Sequence, residues 1–474
     1  MVVKGRPAHG RGRPKTPAAK RRDGPAGPDR ADGPARTNEA DGQQARRSAG
    51  TRSSGQNARA AALDLLSAVL ERAALLDEAR LDRGLDAPVR ARAMTLAETV
   101  LRWMPAIDTL LAGFVTRAPP ARVQNILRLA TAELLVEDIP AHAVVSTAVD
   151  LAAGTARLRA YRGLVNAVAR RVATEGAALW PEIAAADPVF PPELTDRLTR
   201  AWGADACAAM ARAHRVRPPV DLSLRDAADA DGLARALGAQ TLPTGSLRLA
   251  QPGQLTSLPG YAEGQWWVQD AAAALPARLL GPVAGARVLD LCAAPGGKTL
   301  QLAAAGADVT ALDLSGPRLK RLRDNLQRAG LSARIVEADA LDWQPEAPFD
   351  AIMLDAPCSA SGTMRRHPDL MRRPLASLAP LVGLQDRLLD RAFSWLAPGG
   401  RLVFATCSLF PQEGEVRIRG FLGRTAGVEL LPVPALSGLD PTWCAQGMLR
   451  LRPDFWPEIG GLDGFFAAMV HRTP

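Results

Sequence analysis

Two short stretches carry side chains suited to covalent chemistry. Asp355-Ala356-Pro357-Cys358-Ser359 closes the apolar run 349–355, and Thr406-Cys407-Ser408 closes the run 401–406. A thiolate is a strong nucleophile, and its availability depends on a lowered pKa. A carboxylate three residues ahead of one thiol can give or take a proton. A lone cysteine is usually a small buried hydrophobe. Two thiols and an aspartate at the ends of neighbouring apolar runs are harder to assign to packing. The residues alone do not rank the two thiols.

A third stretch suggests what the nucleophile works beside. Ala-Arg-Val-Leu-Asp-Leu-Cys (286–292) reads as a strand, and Ala293-Ala294-Pro295-Gly296-Gly297-Lys298-Thr299 turns it into a helix. Glycines at such a turn let the backbone approach a ligand at the carboxyl end of a sheet. Asp313 ends the next strand, where a carboxylate can accept from two ribose hydroxyls, and Asp339 ends the third, beside the place of an adenine edge. G-x-G-x-x-G is absent. Gly297-Lys298-Thr299 fits the end of G-x-x-x-x-G-K-[ST], but Cys292 stands at its first glycine. Acidic ribose binders with no phosphate cradle suit S-adenosylmethionine.

The two halves of this chemistry fit one reaction. Carbon 5 of cytosine is a poor nucleophile. Thiolate addition to carbon 6 makes it enamine-like, able to attack a methyl sulfonium. Asp355 is placed to neutralise charge at ring nitrogen 3, and a base must later take the carbon-5 proton. Enzymes that methylate exocyclic amines typically carry an Asn- or Asp-Pro-Pro-aromatic motif after the fourth strand, where this chain has Asp-Ala-Pro-Cys. That favours carbon over nitrogen.

These residues need a scaffold, and the chain is long enough for several domains at 474 residues. From 283 onward strands and helices alternate (DVTALDL, ARIVEAD, FDAIMLD and RLVFATC, with helices near 297–305, 316–329 and 380–396), which predicts a mostly parallel, Rossmann-like α/β sheet. DGFFAAMVHR reads as a closing strand. Residues 186–282 predict a bridging α+β segment after the prolines at 181–192. Residues 56–178 predict an all-α bundle, with Leu63, Leu66 and Leu70 on one helical stripe. Residues 1–55 hold 13 Lys or Arg against 5 Asp or Glu and few large apolar groups, which predicts a disordered basic tail able to meet phosphate backbones. The net charge of +9 therefore lies almost wholly in the tail. Beyond residue 55 only Lys298 and Lys320 are lysines, so a lysine inside a motif invites a chemical reason.

No run of about 18 apolar residues suggests a membrane span, and no apolar segment follows the basic N-terminus. Five cysteines without a C-x-x-C pair argue against a disulfide framework or zinc site and for a cytoplasmic protein. No metal is expected.

CAAPGGK, LDAPCSASG, RRHPD, ATCS and DGFF together resemble the bacterial 16S rRNA cytosine-5 methyltransferases of the RsmB/NOP family, over roughly 57–474. Residues 57–173, with IPAHA (139–143) and GLVN (163–166), resemble the NusB-type RNA-binding domain. The resemblance implies a class I S-adenosylmethionine-dependent methyltransferase. It implies Cys292, Ala293, Ala294, Pro295, Gly296, Gly297, Lys298, Asp313, Asp339 and Asp355 as cofactor contacts. It implies Cys407 as nucleophile, Cys358 as the cysteine of product release, and Asp355 as a catalytic partner. Its substrate would be incompletely assembled small-subunit 16S rRNA at cytosine 967, taken up by a monomer with no membrane partner. The alternatives are another RNA, a nucleotide hydrolase, or a non-catalytic NusB-like RNA-binding protein. Two features depart from the family: the tail, and Leu370-Met371-Arg372-Arg373 where a Lys-Trp pair is usual. Arg365, Arg366 and His367 are candidates for holding phosphates near a flipped base. Trp266 and Trp267 read as core before base-stacking, His142 as a helix-start residue, and Cys207 and Cys444 as structural.

Overall fold

The computed structural model describes residues 39–79, 84–250 and 252–474, the side chains of 39–54, 56 and 377 excepted. Contacts gather residues 53–474 into one unit distinct from 1–52, and all packing described below lies within it. The expected disordered tail falls outside the described residues up to position 38. Helix α1 (Glu39–Arg72) starts inside that stretch rather than after it.

Alanine- and leucine-rich segments, which lose little side-chain entropy in a helix, build the N-terminal layer. They are α1, α2 (Ala87–Ala112), α3 (Ala121–Leu135), α4 (Ala141–Ala153), α5 (Ala156–Arg159), α6 (Arg162–Arg171) and, after a π turn, α7 (Ala177–Ala185). Their apolar positions recur every three or four residues and meet in one core: Leu63 and Leu66, Leu96 and Val100, Ile126 and Ala130, Val165 and Val168. Glu133 is buried there and accepts both oxygens' worth of hydrogen bonds from Arg59 Nε at 2.9 and 2.8 Å.

Helices α8 (Pro192–Trp202) and α9 (Ala204–Arg215) lead to a small antiparallel sheet. It is made of β1 (Val220–Leu224), β2 (Gln240–Thr241), β3 (Leu247–Leu249) and β4 (Trp266–Val268) in the order β2-β3-β1-β4, with α10 (Ala230–Leu237) between β1 and β2. Trp266 and Trp267 are buried in core, as expected.

After α11 (Ala271–Leu279) the alternation expected from 283 onward appears. Strand β5 (Arg287–Leu291) is followed by α12 (Gly297–Ala304), β6 (Asp308–Asp313), α13 (Gly316–Ala329), β7 (Arg334–Glu337) and β8 (Phe349–Asp355). Then come α14 (Leu378–Ser394), β9 (Leu396–Thr406), α15 (Glu415–Arg424), β10 (Val428–Leu431), β11 (Cys444–Ala445), β12 (Met448–Leu451) and β13 (Phe465–Arg472). The order is β11-β12-β13-β9-β8-β5-β6-β7, with β9 through β7 parallel. Alternate residues serve opposite faces: Val288 packs towards α11, Leu289 towards α14 and α15. The closing strand β13 inserts antiparallel beside β9, and its far edge is shared by β12 and β10. Strands β10 to β12 went unforeseen because each has two to four residues, too short for a legible alternation.

Direction along the chain reverses between β5 and β8. β5 leads outward to β6 and β7, and β8 returns to its other side. Ligand sites in open α/β sheets form outside the carboxyl ends of the strands at such a switch point. Here those ends bring Cys292, Asp313, Asp355 and Thr406-Cys407 into one row.

Candidate active site

The row is held by strand register. Leu291 pairs with both Leu312 and Leu354, and Asp355 pairs with Ala405, so the segments beyond these residues converge. A cleft of about 350 Å³ opens there, lined among others by Ala293, Ala294, Pro295, Gly297, Lys298, Asp290, Asp355, Cys407 and Phe465.

The cofactor loop turns through two left-handed residues, Cys292 at φ 62° and Gly296 at φ 112°. A non-glycine residue there is costly, and such conformations gather at ligand loops. A side chain at Gly296 would also strike Leu322 of α13. Asp313 braces the loop: its Oδ2 accepts from the Ala294 amide at 3.1 Å and its Oδ1 from the Ser315 amide at 2.9 Å. Each oxygen keeps a second lone pair for a ligand hydroxyl. Asp339 is exposed beyond β7 and caps a turn by accepting from the Leu341 amide at 2.9 Å. Neither Asp313 nor Asp339 lines the cleft itself.

Lys298 explains its survival in an arginine-rich chain. It is buried, its Nζ lies 2.6 Å from Asp355 Oδ2, and it stands 5.0 Å from the centre of the Phe465 ring. The expected acid at Asp355 is therefore one half of an ion pair.

The two thiols meet, with Cys407 Sγ 3.5 Å from Cys358 Sγ. Cys407 lines the cleft, whereas Cys358 lies behind it. The hydrogen bond with Cys407, then burial, then the charges of Cys407 and Glu413 push the Cys358 thiol well up. Cys358 is thus held protonated and can donate to the neighbouring Cys407 sulfur.

Glu413 went unnoticed in the sequence, and the structure makes it the knot between both cysteine loops. It is wholly buried. Its Oε1 accepts from the Ser359 amide at 2.9 Å and Gln385 Nε2 at 3.0 Å, and its Oε2 from Ser359 Oγ at 2.5 Å and Ser408 Oγ at 2.6 Å. Each serine adjoins one of the two thiols. The only hint was a carboxylate six residues after Cys407, a spacing with no motif behind it. Glu413→Ala strands several buried donors and should cost about 3 kcal/mol or more of stability, whereas Glu413→Gln should cost about 1–2 kcal/mol. Urea unfolding of the two variants checks the order.

The loop beyond Cys358 is clamped elsewhere too. The Gly362 amide donates to the Cys407 carbonyl at 2.9 Å, and the Gly464 amide donates to the Gly362 carbonyl at 2.8 Å. A side chain at Gly362 would sit on the Gly464 carbonyl, so only glycine fits.

Arg365 and Arg366 correct an expectation. They hold no free phosphate site. Arg365 is 1% exposed. Its Nε donates to Asp463 Oδ1 at 2.6 Å and its Nη2 to Asp270 Oδ2 at 3.2 Å, while Arg366 Nε donates to Asp463 Oδ2 at 2.9 Å and Arg366 also pairs with Asp270. Burial opposes ionisation of Asp270, but Arg366 and Arg365 overcome it and hold the carboxyl below its usual range. The network fastens the loop to α11 and β13. His367 is the exposed member of the triplet and lines the cleft. His142 is exposed in the first turn of α4, Cys207 is buried, and Cys444 begins β11.

The residues present suit a sulfonium cofactor. Burial first, then Asp313, Asp355 and Asp290, push the Cys292 thiol up, so the loop sits in a field of carboxylates that favours a cation. Asp290 Oδ1 is buried without a partner on the cleft floor. Its other oxygen accepts from Thr299 Oγ1 at 2.5 Å. Burial pushes its carboxyl up to about 7 from 3.8, against the opposing effects of Thr299 and Lys298. An acid raised in the folded state stabilises below its unfolded value and loses that contribution as pH rises through the folded one. The melting temperature of the wild type should therefore fall between pH 5 and 8 more steeply than that of Asp290→Asn. Parallel curves would contradict it.

The comparisons with known proteins agree with this geometry. A family model described as 16S rRNA methyltransferase RsmB/F matches residues 277–471, and the NusB family model matches 56–174. The ribosomal RNA small subunit methyltransferase B of Pseudomonas syringae pv. tomato is 38% identical over 443 residues, 87% of this chain and 96% of that protein. That of Xanthomonas campestris pv. campestris is 36% identical over 90% of this chain and 99% of its own. A crystal structure of a methyltransferase homolog from Pyrococcus horikoshii is similar with a TM-score of 0.51 and 30% identity, over 60% of this chain and 95% of that one. Among the described residues no helix is long and apolar enough to cross a membrane. The chain belongs to the RsmB/F family of S-adenosylmethionine-dependent 16S rRNA methyltransferases, with a Rossmann-like catalytic domain behind an all-helical NusB-type domain.

Proposed function

We propose that this protein methylates carbon 5 of a cytosine in small-subunit 16S rRNA through a covalent bond between Cys407 and carbon 6. The observation that carries the reading is the thiol pair: Cys407 faces the cleft beside Lys298 and Asp355, and Cys358 supports it from behind at 3.5 Å. By resemblance of the motifs the target is cytosine 967. The same reading has the enzyme act as a monomer in the cytoplasm, on rRNA not yet fully assembled.

S-adenosylmethionine, held along Cys292 to Lys298 with Asp313, Asp339 and Asp355, supplies the methyl group. The side chains divide the rest of the work. The Cys407 thiolate adds to carbon 6, and the electrons of the ring double bond move towards nitrogen 3. The Lys298–Asp355 pair delivers a proton to that nitrogen and takes it back at the end. Once Cys407 is bonded to carbon its negative charge is gone, and with it the largest of the effects that hold the proton on Cys358. Cys358 can then release its proton to solvent and accept the proton leaving carbon 5. The bond from Cys407 Sγ to carbon 6 breaks, the thiolate is restored, and Cys358 again donates to it. One proton reaches solvent for each methyl group transferred.

Bisulfite sequencing of 16S rRNA from a strain lacking the protein tests the reading. One 5-methylcytosine should disappear and return when the purified protein and S-adenosylmethionine are added to that rRNA. An unchanged methylation map, with no transfer to any rRNA fragment, would return the chain to the non-catalytic RNA-binding alternative.

A further inference from the structure

The loop that carries Cys358 has a second side. A separate cleft of about 270 Å³ is lined by Ser359 and Ser361, by apolar Met364, Leu370 and Phe410, and by Arg372 and Arg373. It shares no lining residue with the catalytic cleft: Thr363 faces that one and Met364 faces this one. Nothing in the catalytic geometry uses Arg372 and Arg373, and neither lines the catalytic cleft.

The charge in this cleft lacks an anion. The Nε of Arg372 is buried without a hydrogen-bond partner. Among the described residues no carboxylate is ion-paired with either arginine, and Glu193 is the only acid among the lining residues. The acid whose charge acts on Arg372 is Asp108, which Arg128 already engages through two hydrogen bonds of 2.7 Å. A partly buried guanidinium beside flat apolar walls suits a phosphate with its base: the phosphate takes the charge, and the base takes the wall.

We propose that this second cleft binds the RNA nucleotide adjoining the target cytosine, its base against Met364, Leu370 and Phe410 and its phosphate on Arg372 and Arg373. The proposal rests on the RNA substrate argued above. A base turned out of its stack needs its neighbours held, and the two clefts draw their linings from the same loop, Thr363 and Arg366 for one and Ser359, Ser361 and Met364 for the other. The floor of the second cleft is built from Ser359 and Ser361. Ser359 donates to Glu413, and Ser361 Oγ accepts from the Leu409 amide at 2.9 Å. Filling the cleft therefore bears on the loop that carries Cys358.

The test uses the full chain and a 16S rRNA fragment that the wild type methylates. The double variant Arg372→Ala/Arg373→Ala should raise the KM for RNA about tenfold, leave kcat and the S-adenosylmethionine KM within twofold, and lower the salt slope of RNA binding by roughly 0.7, the value for one lost phosphate contact to a single strand. Independently of any variant, an abasic site on one side of the target cytosine should raise the wild-type KM about tenfold, and combining it with the double variant should cost less than the product of the two. Unchanged KM in both arms overturns the proposal while wild-type methylation stands. A variant effect seen only on ribosomal particles and not on naked rRNA also overturns it, because the occupant is then a protein. Failure of the wild type to methylate any fragment defeats the proposed function instead.

Discussion

Cys407→Ala should abolish methyl transfer, by about 10⁴-fold or more, and with it any covalent protein–RNA product, since removing a sole nucleophile costs losses of that order. Substrate and cofactor binding should survive. The thiol lines the cleft but makes no hydrogen bond except that with Cys358, so its loss removes little packing. Gel mobility under denaturing conditions after incubation with RNA and S-adenosylmethionine reads the adduct, and a filter assay reads the methyl group. Cys407→Ser is the stricter test, because an alcohol at the same place keeps the shape and lacks an accessible anion at neutral pH. A Cys407→Ala protein that still forms the adduct would move the nucleophile to Cys358.

Cys358→Ala should do the opposite. Addition and methyl transfer need only Cys407, so one turnover should proceed. With no group behind it to receive the carbon-5 proton, elimination should stall and the methylated adduct should accumulate to nearly one per enzyme. Steady-state turnover should fall by about 10²–10⁴-fold, the range for a lost general base. Two consequences separate this from a folding defect. The adduct itself demands an intact cleft. Iodoacetamide should also still label Cys407 in the variant, because that thiol lines the cleft whether or not Cys358 stands behind it. If Cys358→Ala yields no adduct while its melting temperature stays close to the wild type, product release does not run through Cys358.

The same pair separates what the sequence determines from what requires the fold. Periodicity and turn residues mark β5 to β9 and their helices, because a parallel sheet is written as apolar runs with glycine or proline at their ends. Strand ends then locate the chemistry: Asp313, Asp355 and Cys407 lie at or just past the carboxyl ends of β6, β8 and β9. The family motifs are local as well, so membership is legible without coordinates. The small strands β10 to β12 are not, since their pairing is decided by the edge that β13 offers.

Contacts between residues far apart in the chain decided the rest. Lys298 reaches Asp355 across 57 positions, the two sulfurs meet across 49, and Arg365 reaches Asp463 across 98. Nothing in a linear spacing encodes such distances; they follow from which strand lies beside which. Sequence presented Arg365 and Arg366 as free cations, and tertiary packing spends them on Asp270 and Asp463, because buried charges must be paired. It presented Asp355 as an acid, and the fold places an ammonium against it. It passed over Glu413, a carboxylate without a motif, which gains its role only because four donors from Ser359, Ser408 and Gln385 of α14 converge on it. The sequence by itself determined that two thiols, an aspartate and a cofactor loop would share the carboxyl edge of one sheet. Only the tertiary structure decided which thiol faces the cleft and which stands behind it, because that depends on the order of the strands and the burial their packing creates.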